Sequence, residues 1–337
     1  MNKKTYSVIV LIVISIVILC GCNDRNITIR TLSSNSEQNQ FNSTNFNRKI
    51  RDTSNRDIMP GTENLKGIRY RIYNTDGNID HKSNYTLKYG EYWDKFISIG
   101  NMVDKDSIYE LFLLVDFKQS SFEVDNKNVD KFTFNVKANK TLEIPVTIKN
   151  LEEGFHDVMF VVVKDPLNKS LDPQYRSTTM VSNMLYLRFS ITIENDVVPQ
   201  YSIISLEQKE IKDNFLNVVI NKNKNNADNW LIETTNSGSM FNYYTHITNK
   251  DFNNKQKYAI ITLLDSKQVE VNGSVVQYIE IDKRKEISMP CALKLPDVEG
   301  VHNLTTVVIP NPFEKNEINN KQIFSSVRVG LNLLENN

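Results

Sequence analysis

Glu153-Gly154-Phe155-His156-Asp157 and Glu299-Gly300-Val301-His302-Asn303 are one phrase written twice, 146 positions apart. An apolar run follows each, Val158 to Lys164 in the first and Leu304 to Ile309 in the second. The same spacing carries Val162 to Val308, Pro166 to Pro312 and Lys169 to Lys315. Upstream, Ile144-Pro145-Val146-Thr147-Ile148-Lys149 matches Met289-Pro290-Cys291-Ala292-Leu293-Lys294 at a spacing of 145. Further out, Leu113-Leu114-Val115-Asp116-Phe117-Lys118-Gln119 matches Thr262-Leu263-Leu264-Asp265-Ser266-Lys267-Gln268 at 149. Matching blocks in constant order, with small changes of spacing, are what a duplication with loop insertions leaves behind.

Each copy reads as all-β. In the first, Gly67 to Tyr73, Lys95 to Ile99, Ile108 to Phe117, Phe132 to Val136, Leu142 to Lys149, Val158 to Lys164 and Met184 to Ile193 are rich in β-branched and aromatic residues. Turn signals such as Asp76-Gly77, Asn139-Lys140, Glu153-Gly154 and Asp165-Pro166 separate them. The second copy offers Tyr201 to Leu206, Phe215 to Asn221, Tyr243 to Thr248, Tyr258 to Leu264, Val275 to Ile281, Ile287 to Leu295, Leu304 to Ile309 and Ser326 to Leu333. Beyond residue 22 no stretch holds a helical apolar period over ten residues. So many short strands in so short a span suit two packed sheets.

The repeated Gly-x-His sharpens this. In immunoglobulin-like sandwiches a Tyr near the start of the sixth strand bonds back to the corner backbone. His156 and His302, two residues after Gly154 and Gly300, stand where that Tyr would be, so each copy resembles a bacterial immunoglobulin-like domain. The resemblance implies tandem β-sandwiches over residues 66–196 and 197–337, with Gly154, His156, Gly300 and His302 as structural corners and no implied activity.

At the amino end, Lys3 and Lys4 precede an apolar run from Val8 to Leu19. That run is shorter than the roughly 18 to 20 residues a spanning helix needs and fits the core of a secretory signal. Leu19-Cys20-Gly21-Cys22 then resembles the bacterial lipoprotein lipobox. On that resemblance residues 1–21 are a signal peptide and Cys22 carries a diacylglyceryl group, with the further acylation (palmitate) typical of the class. Cleavage before Cys22 puts small Gly21 at the junction, whereas cleavage before Cys20 would put Leu19 there. Two acyl chains anchor stably where one does not. The expected location is the extracytoplasmic face of the cell membrane. Residues 22–65, rich in Asn, Ser, Thr and Arg with scattered apolar residues, read as a disordered tether.

Composition excludes more than it selects. The 337 residues carry 40 basic and 40 acidic side chains, which removes the electrostatic case for a nucleic-acid partner. Asn, by count 43 residues, is far above an ordinary share. Eleven Gly supply no phosphate-cradling loop, and neither Gly-x-Ser-x-Gly nor His-Glu-x-x-His occurs. His81 and His246 do not align between copies and have no His close in sequence, so no metal or other cofactor is expected. Cys291 aligns with Val146 and reads as a core residue, not a nucleophile. Asn74 to Asp80 alternates oxygen side chains as calcium loops do, but its twelfth position is Tyr85, and Asp76-Gly77 reads as a hairpin turn.

Two features invite a binding role. Tyr89, Tyr92 and Trp93 in one copy, and Trp230, Tyr243 and Tyr244 in the other, are candidates for an aromatic platform or for core. The long connections Leu167 to Asn183 and Phe313 to Ile323 are the loops best placed to recognise a partner. The expectation is an interaction or scaffold module without enzymatic activity, anchored in the membrane and meeting another envelope protein or wall component. The alternative is a binder of an envelope glycan or peptide, such as one that sequesters a toxic peptide. A third reading is a hydrolase whose site is assembled from distant residues.

Overall fold

Central strands of a sheet stay apolar throughout only when both faces are covered. Val158 to Val163 is such a run, and its alternate residues serve two different cores. Val158, Phe160 and Val162 point into the first sandwich, while Met159, Val161 and Val163 point to a second core shared between the copies. The same parity divides Tyr258 and Ile260 from Ala259 and Ile261 in the other copy.

The computed structural model describes residues 46–51, 55–60, 66–178, 183–211, 217–225, 228, 230–315 and 322–335. The expected signal peptide at 1–21, Cys22 and the tether up to residue 45 lie outside the described residues. The first sandwich comprises β1 (Gly67–Tyr73), β2 (Asn84–Leu87), β3 (Trp93–Met102), β4 (Ser107–Val115), β5 (Lys118–Ser120), β6 (Phe122–Val124), β7 (Lys127–Val129), β8 (Lys131–Val136), β9 (Lys140–Ile148), β10 (Gly154–Lys164) and β11 (Met184–Ile193). A six-residue helix, α1 (Pro173–Thr178), lies between the last two; Asp172 caps it by accepting from the Gln174 N–H at 2.9 Å. The second comprises β12 (Ile203–Ile204), β13 (Gln208–Glu210), β14 (Val218–Asn221), β15 (Ile232–Asn236), β16 (Met240–Thr248), β17 (Gln256–Leu264), β18 (Lys267–Val269), β19 (Gln277–Ile281), β20 (Lys285–Lys294), β21 (Gly300–Pro310), β22 (Phe324–Ser325) and β23 (Val329–Leu334).

In the first copy the outer sheet has the order β1-β3-β9-β6-β7 and the inner sheet β2-β11-β10-β4-β5, with β8 also on β4. In the second the outer sheet is β13-β20-β16-β14 and the inner sheet β12-β19-β17-β21-β23-β15, with β18 on β17 and β22 on β21. The inner sheets put β4-β10-β11 and β17-β21-β23 in one arrangement, each closed by a parallel strand, β2 or β15. These are tandem immunoglobulin-like sandwiches, and the duplicated blocks fall on equivalent strands: β4 with β17, β9 with β20, β10 with β21. Trp93 anchors the first core, stacked on Phe189 with centroids 4.7 Å apart.

The tether expected over 22–65 needs correction at its far end. Phe46, Ile50 and Met59 are buried: the Phe46 ring lies 6.1 Å from Phe132, and Ile50 and Met59 join Tyr73 and Phe96 on the outer sheet. Asp125 accepts from the backbone N–H of Asn47 at 2.7 Å and of Arg48 at 3.0 Å. Arg56 pairs with Glu143 and Arg48 with Asp94. Apolar residues too sparse to build a core suffice to cover a face that the sheet already offers.

Candidate functional site

The repeated phrase forms a corner in each copy. His156 Nδ1 meets Asp116 Oδ2 at 2.8 Å and His302 Nδ1 meets Asp265 Oδ2 at 2.7 Å. Asp116 and Asp265 also accept the next backbone N–H, from Asp157 at 2.9 Å and Asn303 at 2.8 Å. Each corner thus ties the start of β10 or β21 to the hairpin after β4 or β17. The copies part at the second ring nitrogen. His156 Nε2 reaches the Glu152 carbonyl at 2.9 Å, whereas His302 Nε2 is buried without a hydrogen-bond partner among the described residues. Burial by itself would lower the His156 pKa, but Asp116 and the Glu152 carbonyl outweigh it and raise it. Burial works to raise the Asp265 pKa, yet His302 and Lys169 bring it down to about 2. Gly154 and Gly300 have φ of 125° and 119°, values that L side chains rarely adopt.

The largest feature sequence reasoning missed is how the copies meet. Phe112, Leu114, Met159 and Val161 of the first pack against Ala259, Ile261, Val307 and Ile309 of the second. The polar frame around this core is two-fold in character. Gln119 N–H donates to Gln268 Oε1 at 2.7 Å, and Gln268 N–H donates to Gln119 Oε1 at 2.8 Å. Arg188 donates to the carbonyls of Pro310 at 2.7 Å and Asn311 at 2.9 Å. Arg328 donates to those of Lys164 at 2.5 Å and Asp165 at 3.0 Å, the positions matched to Pro310 and Asn311 at a spacing of 146. Two arginines therefore reach across in opposite directions to equivalent turns. Among the described residues one of the two has a carboxylate partner: Asp157 pairs with Arg188 at 2.5 Å with both side chains buried, and the residue matched to Asp157 is Asn303.

Phe117 shows what the interface demands. Asp116 and Phe117 have φ of 52° and 65°, as Asp265 and Ser266 have 52° and 59°, so both hairpins use a turn with two positive-φ residues. Phe is a poor residue there. It is held because its ring fills the interdomain core, 5.1 Å from Phe313 and 6.2 Å from Tyr278.

The two long connections are not free recognition loops over their described parts. Lys169 pairs with Asp265, and Arg176 donates to Asn303 Oδ1 at 3.1 Å and the Arg328 carbonyl at 3.0 Å. From the other side Phe313 packs on Phe117 and Tyr201, and Lys315 meets Asp196 at 3.1 Å. Length and position marked these loops as recognition elements, and over their described parts what they meet is the other copy. The candidate aromatic platforms divide: Tyr89 and Tyr92 are exposed, Trp93 and Tyr243 are buried in core, and Trp230 stacks on Phe241 at 5.5 Å. Cys291 is core, with its pKa pushed up to about 11 by burial. Asn74 to Asp80 closes as a hairpin, Gly77 N–H to the Asn74 carbonyl at 3.1 Å.

One polar pair has chemical potential. On the outer sheet of the second copy, Ser288 Oγ and His246 Nδ1 are 3.0 Å apart, and His246 Nε2 lies 3.0 Å from the Asn223 carbonyl. A carbonyl can only accept, so Nε2 carries the proton and Nδ1 accepts from the Ser288 hydroxyl. Burial lowers the His246 pKa. Among the described residues no group of three or more His, Cys, Asp or Glu is placed to hold a metal ion.

No family model matches the chain, and no curated protein matches it. Among solved structures, the E. coli chaperone DraB is 8% identical with a TM-score of 0.25, over 80% of this chain and 97% of DraB. A PapD-like domain of human CEP192 is 11% identical with a TM-score of 0.22, over 44% of this chain and 99% of that domain. Red sea bream transglutaminase is 10% identical with a TM-score of 0.22 over 81% of this chain, which spans about a third (32%) of that enzyme's length. Likeness at this level carries no functional argument; the fold rests on strand order and register, which make the chain a pair of immunoglobulin-like sandwiches joined face to face.

Proposed function

We propose that this chain is a lipoprotein of the outer face of a cell membrane, anchored through Cys22, that presents its paired sandwiches as a protein-interaction module. The observation that carries the reading is the burial of the two inner sheets against each other with reciprocal arginines and glutamines. Such packing supports a rigid body that offers outer sheets and sheet edges to a partner, and its polar groups serve structure. Balanced charge supports anchoring by lipid in place of electrostatics. The partner is expected to be another envelope protein; a wall glycan or peptide is the alternative ligand.

Two experiments test this. Cys22→Ala is expected to release the protein from membranes or leave an uncleaved precursor, while Cys20→Ala changes little; the reverse pattern defeats the anchor. Cross-linking on intact cells, with Cys22→Ala as control, is expected to trap a reproducible envelope partner. Repeated failure to trap one defeats the module.

The Ser288–His246 pair favours a second reading, hydrolysis of an ester. The polarity of the dyad fits a hydroxyl activated by a neutral imidazole. Activity on p-nitrophenyl acetate that Ser288→Ala and His246→Ala abolish alike would support it, and equal rates in all three proteins would end it.

A further inference from the structure

The two copies differ at one edge of the inner sheet. β2 covers β11 only from Ser190 to Ile193, so the stretch from Met184 to Phe189 runs on with no described strand on that side. Ser190 turns its N–H to that side, donating to the Ser83 carbonyl at 2.9 Å. Backbone direction alternates along a strand, so the N–H and C=O of Tyr186 and Arg188 face the same uncovered way. Across the gap runs β1, whose one named partner strand among the described residues is β3; its far end is closed by Asp80, whose N–H donates to the Ile72 carbonyl at 2.8 Å.

The side chains in the gap are also unfinished. Leu185 and Leu187 of β11, and Ile68 and Tyr70 of β1, are only half-buried against the first core. In the second copy Val327, between β22 and β23, is buried, and the Phe252 ring lies 6.2 Å from Phe324. Between β1 and the free half of β11 lies a groove of about 340 Å³, walled by Tyr70 to Ile72 and Tyr186 to Phe189. Arg71 and Lys82 are exposed at its mouth. The acid in its wall, Asp80, is engaged by Lys95 at 3.0 Å and by the Lys82 N–H at 3.0 Å.

We propose that this groove binds an extended peptide segment, with apolar side chains and one acidic residue at alternate positions, as an added strand on β11. The proposal rests on reading the chain as an interaction module and names one site and partner class for it. An uncovered edge offers N–H and C=O groups that another strand satisfies in register. A strand's two-residue period then places every second side chain in the gap beside Leu187 and Tyr70, and an acidic residue in that row meets the cations Arg71 and Lys82 at the mouth.

The test uses the full-length chain in detergent micelles and a fluorescein-labelled hexapeptide, Val-Thr-Val-Thr-Glu-Thr. Binding is expected by anisotropy, with amide exchange at Tyr186 and Arg188 fast in the free protein and slowed by the peptide. N-methylation of alternate peptide nitrogens is expected to weaken binding by about tenfold or more, since it removes the ladder while keeping every side chain. Arg71→Glu is expected to weaken the Glu peptide several-fold and spare its Gln version, as roughly one screened charge contact allows. Four results would each overturn the site: no binding, equal binding of the N-methylated peptide, slow exchange at Tyr186 and Arg188 in the free chain because its own tether lies there, or protection that grows with protein concentration because a second copy does. If a cross-linked partner is still trapped on cells in those cases, the module stands and only this groove is wrong.

Discussion

The two sandwiches share a strand order and a corner, yet they solve three local problems differently. The first pairs its interface arginine, Arg188, with a buried carboxylate; among the described residues the second holds Arg328 by backbone carbonyls. The first closes its corner histidine on the Glu152 carbonyl, and the second leaves His302 Nε2 without such a bond. The first flanks β9 with its own β6, while the second flanks β20 with β13, drawn from the segment that joins the copies. Duplicated domains that pack on each other are no longer free to stay identical, because each serves as the other's environment.

Arg188→Ala strands the Asp157 carboxylate in the interface and is expected to cost about 3–5 kcal/mol, against roughly 1–3 for Arg328→Ala, which strands no acid. Urea midpoints of the two variants read the difference; equal losses would mean that Asp157 is solvated. Gly154→Ala is next. Its φ of 125° strains any L side chain, and an added Cβ would sit 3.0 Å from the Val197 carbonyl oxygen, whereas at Gly300 nothing lies within 4 Å. About 2–3 kcal/mol is expected for the first and about 1 for the second.

The corner histidines give a pH contrast. The folded pKa of His156 is raised, so its contribution to stability is fully present below the unfolded value of about 6.5 and is lost as pH rises through the folded value. His156→Gln should therefore flatten the fall in stability above about pH 6.5. A wild-type curve already flat there would show that the Asp116 pairing adds nothing. Asp265 works in the opposite window: its pKa of about 2 gives stability that is lost as pH falls below about 4. The smallest effect is expected from Cys291→Val, which restores the residue of the other copy at Val146 and should shift stability by less than about 1.5 kcal/mol. A larger loss would mean that the Thr245 hydroxyl, 3.3 Å from the thiol, depends on it.

Legibility followed distance along the chain. β1 at Gly67–Tyr73 and β11 at Met184–Ile193 are readable to the residue because apolar runs and turn signals are local. The hairpins at Asp116-Phe117 and Asp265-Ser266 carry no Asn-Gly or Asp-Gly signal, and Phe117 is tolerable there only through its packing on Phe313. β13 and β15 are short and polar, and they exist because a neighbouring strand has a free edge. The corner pairing of His156 with Asp116 was half visible, since both residues lie in repeated blocks while the link between the blocks is spatial. Arg188 and Arg328 lie in no matched block, and nothing local marks them.

The all-β class and the duplication are legible in the amino-acid letters, because periodicity and turn chemistry act over a few residues and a repeat is visible without coordinates. That the two inner sheets face each other, that the described parts of the long loops help to hold them, and that residues 46–51 and 55–60 belong in part to the folded body depends on packing between residues far apart in the chain. The reason is that a doubly buried strand such as β10 reads as uniformly apolar whichever surface covers its second face. The chain spells out that something must cover it, and packing alone selects the other copy.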